Sequence, residues 1–275
     1  MVTCPTPRLP GKLCAMHLVA LVSDDADLQH ALRGFRDGAE RFLLHPVPAG
    51  GMAELLRGLA RLDFAGALVI DEARQAEAQR LADRSSLDAQ ELAAADTLTV
   101  TPGGIMADLA FGRAVSAMLA GQRWDAAGAS VVVLGAGTSA AAVAREVASL
   151  GAASIAVLAS DRVAAERALP RTAAGTEVLA RASADPLGTA LLERADLVVR
   201  IDDDVAIPDD LLGPHLTLVD LAPVAVSGLR KRAMALGALT FNRRDVEAYR
   251  LELGLSQVLG GPVGVEPILA LFHTL

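Results

Sequence analysis

Aromatic side chains are scarce in this chain, at 3% of 275 residues. That scarcity excludes a binding surface built on stacked rings. The apolar fraction of 52% is instead dominated by Ala, Leu and Val, which suits helices packed closely on sheets. Cysteine is nearly as rare: Cys4 and Cys14 both stand near the start, with no second pair to complete a metal site and no disulfide framework. Positive charge is short as well. The formal net charge is -8 and no run of Lys or Arg stands out, so the long-range field repels a polyanion and nucleic acid is excluded as a partner.

Long apolar runs are missing too. Arg8 and Lys12 precede an apolar stretch from Leu13 to Val22 that mimics a short signal peptide. No small-residue cleavage site follows it cleanly, Ser23-Asp24-Asp25 comes next, and the stretch is too short to cross a bilayer. A first β-strand explains it better, and a cytoplasmic protein with no membrane partner is expected. The histidines His17, His30, His45, His215 and His273 lack metal-ligand spacing, and no Gly-x-Ser-x-Gly elbow occurs. The acid run Asp202-Asp203-Asp204, with Asp209-Asp210, reads as a solvated loop, so no metal is expected. There is no internal repeat and no low-complexity linker.

What remains is a regular alternation. The first third reads as strand (Met16 to Val22), helix (Asp27 to Phe35), strand (Arg41 to Val47), helix (Met52 to Leu62) and strand (Ala65 to Ile70), which predicts a parallel sheet. Residues 71–95 are helical in composition, with a break near Ser85 and Ser86 where either serine could cap a second helix. Thr97 to Thr101 is strand-like, Pro102-Gly103-Gly104 is a turn, and Asp108 to Leu119 reads as a long helix. From Val131 the pattern sharpens, with strands at Val131-Leu134, Ile155-Leu158, Leu197-Ile201 and Leu216-Leu221 and two helices at the end. The fold class expected is α/β: an N-terminal α/β substrate lobe over residues 1–104, a doubly wound Rossmann lobe over 105–242, and C-terminal helices over 243–275 that return to the first lobe.

The segment Val131-Val132-Val133-Leu134-Gly135-Ala136-Gly137-Thr138-Ser139-Ala140 carries the chemistry. An apolar strand runs into Gly-x-Gly-x-x-Ala and then into a helix. Gly135 permits the tight turn, Gly137 lets a pyrophosphate approach the backbone, and Ala140 keeps the helix close to the strand. The amides of Ala136, Thr138 and Ser139 then belong to a helix N-terminus that favours phosphate. Nucleotide choice falls just past the second strand, at Ser160-Asp161-Arg162: an acid accepts from the ribose 2′-OH of NAD, and an arginine meets the 2′-phosphate of NADP. Both types are present, so the choice stays open.

The arrangement resembles the shikimate/quinate dehydrogenase family. The resemblance rests on the glycine turn, on Ala94-Ala95-Asp96-Thr97-Leu98 leading to Gly104 and Asp108, on Ala195-Asp196-Leu197-Val198-Val199, and on Asp220-Leu221-Ala222-Pro223 with the following segment through Met234 and Gly237. It implies reversible hydride transfer between a nicotinamide ring and a carbon bearing a hydroxyl, with a Lys/Asp pair for the proton. The departures cluster where substrate sits. The family's lysine falls on Arg74, and the only lysines are Lys12 and Lys231. Arginine stays protonated, so Arg74 can polarise an oxygen but cannot exchange a proton.

The family's Asn-Thr-Asp-Gly falls on Met106-Ala107-Asp108-Leu109, which keeps Asp108 as a catalytic or capping carboxylate. The carboxylate-gripping serines are reduced to Ser23 in an acidic loop, the C-terminal-helix glutamine falls on Arg250, and Ala222 stands in place of a tyrosine. The nucleotide-reading turn is Ala159-Ser160-Asp161, which tilts a mostly NADP-using pattern toward NAD. An NAD(P)-dependent oxidoreductase acting on a small hydroxy or keto molecule other than shikimate is therefore expected, as a monomer or homodimer. The alternative is a nucleotide- or ligand-binding sensor that has lost catalysis.

Overall fold

The computed structural model describes residues 16–33, 35, 42–47, 51–171, 173, 175–202, 207–222 and 227–272. The N-terminal stretch with Cys4, Lys12 and Cys14 lies outside them, as do Asp203, Asp204, Pro223 and His273.

The first lobe begins with β1 (His17–Val22), β2 (Phe42–Val47) and β3 (Phe64–Val69), linked through α1 (Ala26–Leu32) and α2 (Met52–Arg61). β1 pairs in parallel with both neighbours. Its side chains alternate by the two-residue period of a strand: Val19 and Leu21 face one apolar cluster, Ala20 and Val22 the other. Asp25 caps α1 by accepting from the amides of Asp27 and Leu28. α2 buries Met52, Leu56 and Leu59, one stripe of helical spacing.

Beyond β3 come α3 (Glu72–Leu81), the short β4 (Arg84–Ser85), α4 (Leu87–Leu92), β5 (Thr97–Thr101) and β6 (Gly104–Asp108). Ser86 caps α4, within the break read from the sequence. The six strands are ordered β2-β1-β3-β5-β6-β4. The three strands whose alternation with helices predicts parallel pairing do pair in parallel; β5 runs antiparallel to β3, and β6 in turn antiparallel to β5. The reason is connection length: Pro102-Gly103 returns the chain at once, and so short a link can join only antiparallel strands. The expected lobe boundary between 104 and 105 falls inside this hairpin, and the first sheet continues to Asp108. The helix expected from Asp108 starts later, as α5 (Phe111–Gly121).

The second lobe contains β7 (Ser130–Leu134), α6 (Gly137–Ser149), β8 (Ser154–Ala159), α7 (Arg162–Arg167), β9 (Glu177–Ala182), α8 (Leu187–Leu192), β10 (Leu197–Arg200), β11 (Thr217–Asp220), α9 (Gly228–Ala235) and β12 (Leu239–Asn242). Every pair in its sheet is parallel, in the order β12-β11-β10-β7-β8-β9. This is the doubly wound order, with its reversal point between β7 and β10. The strands at both edges, β9 and β12, escaped the sequence reading: each is only partly buried and carries polar residues, so neither shows a continuous apolar run.

Asn242 ends β12 and also caps α10 (Arg243–Leu259) in a reciprocal box with Asp245. α10 therefore leaves the second sheet without a linker. It lays Ala248, Leu251, Leu255 and Val258 against Val19, Leu21 and Leu68 of the first, and α11 (Glu266–Phe272) adds Ile268 and Phe272 to the same cluster. Among the described residues no helix is long and apolar enough to cross a membrane.

Candidate active site between the lobes

The glycine turn follows from β7, whose Val131 to Leu134 are buried. Gly135 and Gly137 take φ of +121° and +84°, which side chains rarely tolerate. A Cβ on Gly135 would stand 2.9 Å from the Cβ of Ile201 and 2.8 Å from a carboxylate oxygen of Asp202. At Gly137 the same construction meets no described atom within 4 Å, so that residue faces open space. Ala140 is fully buried under the turn, as close helix–strand packing requires.

Ile201 and Asp202 both donate their amides to the Leu134 carbonyl, at 2.8 and 3.3 Å. The turn after β7 and the chain leaving β10 thus lie side by side at the reversal point, outside the strand carboxyl ends where ligands of open α/β sheets bind. Thr138 is half-buried, and buried Ser139 donates its hydroxyl to Glu72 of the first lobe at 3.2 Å. Ser160 and Asp161 follow β8; Asp161 caps α7 by accepting from the Ala164 amide at 2.8 Å, and exposed Arg162 pairs with Glu166 at 2.8 Å.

A cavity of about 730 Å³ is linked to this turn through Glu72, which lines it and accepts from Ser139. Its walls come from the carboxyl ends of both sheets: Ser23 and Ile70 follow β1 and β3, while Ala222 and Asn242 mark the ends of β11 and β12. Glu72 and Arg74 of α3, with Arg243, Arg244 and Glu247 of α10, close the remaining sides. Ser23 is fully buried; its hydroxyl donates to Asp71 at 3.4 Å and accepts from the Asp25 amide at 3.1 Å. Arg74 is partly exposed on the wall, 3.9 Å from Glu77.

Arg250 does not stand among the lining residues. It is 3% exposed and lies behind the wall, donating to the Ile70 carbonyl at 3.2 Å, pairing with Glu247 at 2.6 Å and covering the Phe111 ring. Its partner Glu247 does line the cavity, and the sequence reading missed it. Burial pushes the Glu247 carboxyl up, against the opposing pull of Arg250 and Arg243.

Asp108 is placed differently from the helix-start position expected. It is the last residue of β6, is buried, and lies outside the residues lining the cavity. Burial acts to raise its carboxyl, but the Ser86 hydroxyl and the Arg113 guanidinium, both donating to it, hold it below the ordinary range. The helix-start role belongs to Asp96, which accepts from the Ala110 amide at 2.8 Å. Burial pushes the Asp96 carboxyl up, with nearby Arg250 as the main opposing charge.

Fold and crevice together define a two-lobe α/β protein with a dinucleotide-type second lobe. No protein-family model matches the sequence, and no curated protein matches it either. Solved structures do match. A shikimate 5-dehydrogenase from Listeria monocytogenes, in complex with shikimate and NAD, superposes with a TM-score of 0.78 at 15% identity, over 96% of this chain and 98% of that one. A ligand-free 5-ketofructose reductase from a Gluconobacter species gives 0.77 at 19%, over 94% and 99%. A quinate dehydrogenase from Corynebacterium glutamicum, in complex with NAD, gives 0.76 at 20%, over 94% and 99%. The chain has the shikimate dehydrogenase-like two-lobe fold, strongly diverged in sequence.

Proposed function

We propose that the protein is a NAD(P)-dependent oxidoreductase that moves a hydride between the nicotinamide and the carbon of a small hydroxy or keto compound. One observation carries this reading: among the described residues a large cavity is bounded by the strand carboxyl ends of both sheets, and Glu72 on its wall accepts from Ser139 of the glycine-turn helix. The open face of Gly137 and the first turn of α6 fit a dinucleotide's diphosphate. Ser160, Asp161 and Arg162 at the end of β8 would meet the ribose. When bound, the nicotinamide supplies or accepts the hydride; the protein's own groups orient the substrate and handle the proton.

The cavity wall favours a neutral polyol or ketose over a carboxylate. Asp24, Asp25, Asp27, Asp71 and Glu72 line it against Arg74, Arg243 and Arg244, and Arg74 lies 3.9 Å from Glu77 while Arg243 lies 3.6 Å from Glu72. Two of the arginines are thus partly offset by neighbouring acids, the acids outnumber the arginines on the wall, and an incoming carboxylate meets an excess of like charge. A keto sugar, the substrate class in the name of the Gluconobacter neighbour, carries no such charge. Arg74 polarises the reacting oxygen and Ser23 contacts a hydroxyl. Glu247, whose burial favours its protonated form, gives the proton to the carbonyl oxygen in reduction and takes it back in oxidation. Arg250 acts from behind the wall as a positioning residue, through Glu247 and the Ile70 carbonyl.

The test is fluorescence titration with NADH and NADPH, followed by assays of neutral polyols, ketoses, shikimate and quinate. Binding of a reduced nucleotide and faster turnover of neutral compounds are expected. Binding with no turnover of any of them would leave the sensor reading, which the lack of a lysine among the described lining residues favours.

A further inference from the structure

Two of the donors that make the glycine turn an anion site already have anionic partners from the protein itself. The Ala136 amide, between the two glycines, donates to the Asp202 carboxylate at 3.4 Å. The Ser139 hydroxyl, on the first turn of α6, donates to the Glu72 carboxylate at 3.2 Å. The two acids come from different places: Asp202 leaves β10 at the reversal point, and Glu72 starts α3 in the other lobe. Asp202 is exposed and is not held by burial. Its placement follows from the backbone, because the paired amides of Ile201 and Asp202 on the Leu134 carbonyl fix where its side chain begins.

From this geometry we infer that Asp202 is the specificity-determining residue of the nucleotide crevice, with Glu72 as its counterpart across the lobes. The inference rests on the dinucleotide-binding reading above. One N–H cannot serve a carboxylate and a phosphate oxygen at full strength, and two anions a few ångströms apart repel, more so where water is partly excluded. A diphosphate enters only by displacing Asp202 from Ala136 and Glu72 from Ser139. The crevice therefore discriminates against weakly held diphosphate ligands and keeps those whose remaining contacts offset the displacement. Glu72 spans the lobes, so its release also loosens the contact between α3 and α6.

Calorimetric titration of NAD+, NADP+ and ADP into the full chain, at one fixed ionic strength, tests this. Asp202→Asn keeps the shape and removes the charge; at an exposed position it leaves the thermal unfolding midpoint near that of wild type. Binding of all three nucleotides tightens at least tenfold in Asp202→Asn, less in Glu72→Gln, and most for ADP, which has the fewest other contacts. Unchanged or weaker binding in both variants, with wild type still binding, overturns the inference and leaves the oxidoreductase reading standing. Binding in Asp202→Asn but not in wild type supports the inference and removes that reading instead. No binding by any of the three proteins removes both.

Discussion

The two walls of the crevice are made by different means. On the second lobe the wall is backbone: two glycines at positive φ, a helix N-terminus and the carboxyl ends of parallel strands. On the first lobe and α10 it is side chain: Ser23, Arg74, Glu72 and Glu247, held by a buried set of charges that includes Asp96 and Arg250. A wall of amides tolerates wide drift in sequence as long as its glycines remain. A wall of side chains changes its chemistry with every substitution. The fold is accordingly shared with dehydrogenases and a reductase at 15–20% identity.

The contrast breaks most sharply at Gly137. Gly137→Val places a branched side chain at φ +84° and fills the open face of the turn. Dinucleotide affinity falls at least 100-fold, and backbone strain costs about 1–3 kcal/mol of stability. Calorimetry and chemical unfolding measure the two effects, and retained affinity would show that phosphate does not use this turn.

Glu247→Gln probes the opposite wall. Because burial raises this carboxyl in the folded state, ionising it costs stability as pH rises through its folded value, and the neutral variant loses that slope. Carbonyl reduction by the wild type declines over the same pH range. The variant is slower by about 100-fold, and its pH profile is flat there. An unchanged profile, measured on any substrate the panel identifies, would remove Glu247 from the proton path.

The smallest effect is expected at Asp108, whose partners Ser86 and Arg113 do not line the cavity. Asp108→Ala leaves Ser86 and Arg113 without their acceptor and costs about 1–3 kcal/mol at neutral pH. The lowered carboxyl reverses the sign seen for Glu247: the stabilisation is present above the ordinary aspartate range and is lost as pH falls through the depressed folded value. Urea unfolding of the two proteins should therefore differ at pH 7 and converge in acid. A loss of turnover far beyond that of stability would return Asp108 to the catalytic centre.

Much of the second lobe was legible because its central strands are buried on both faces and read as continuous apolar runs, and because only glycine satisfies the turn that follows. β9 and β12 were illegible for the converse reason, as half-exposed edges with mixed side chains. In the first lobe, Pro102-Gly103 was read as a turn, but its consequence, a strand antiparallel to its neighbour, depends on what that strand pairs with. The site followed the same division. Gly135, Gly137 and Ser139 were found by pattern. Asp202 was assigned to a solvated loop, and Glu247 was passed over beside Arg250.

Sequence alone determined the doubly wound lobe, the glycine turn and the absence of the family's lysine, since each is a matter of local pattern or of which residue type is present. Tertiary structure alone decided that Asp108 is tied to Ser86 and Arg113 outside the cavity lining, that Glu247 faces the cavity, and that Asp202 and Glu72 sit on the Ala136 amide and the Ser139 hydroxyl. Those placements join segments far apart in the chain. The charge environment of a side chain depends on what the fold brings beside it, and no local spacing records that.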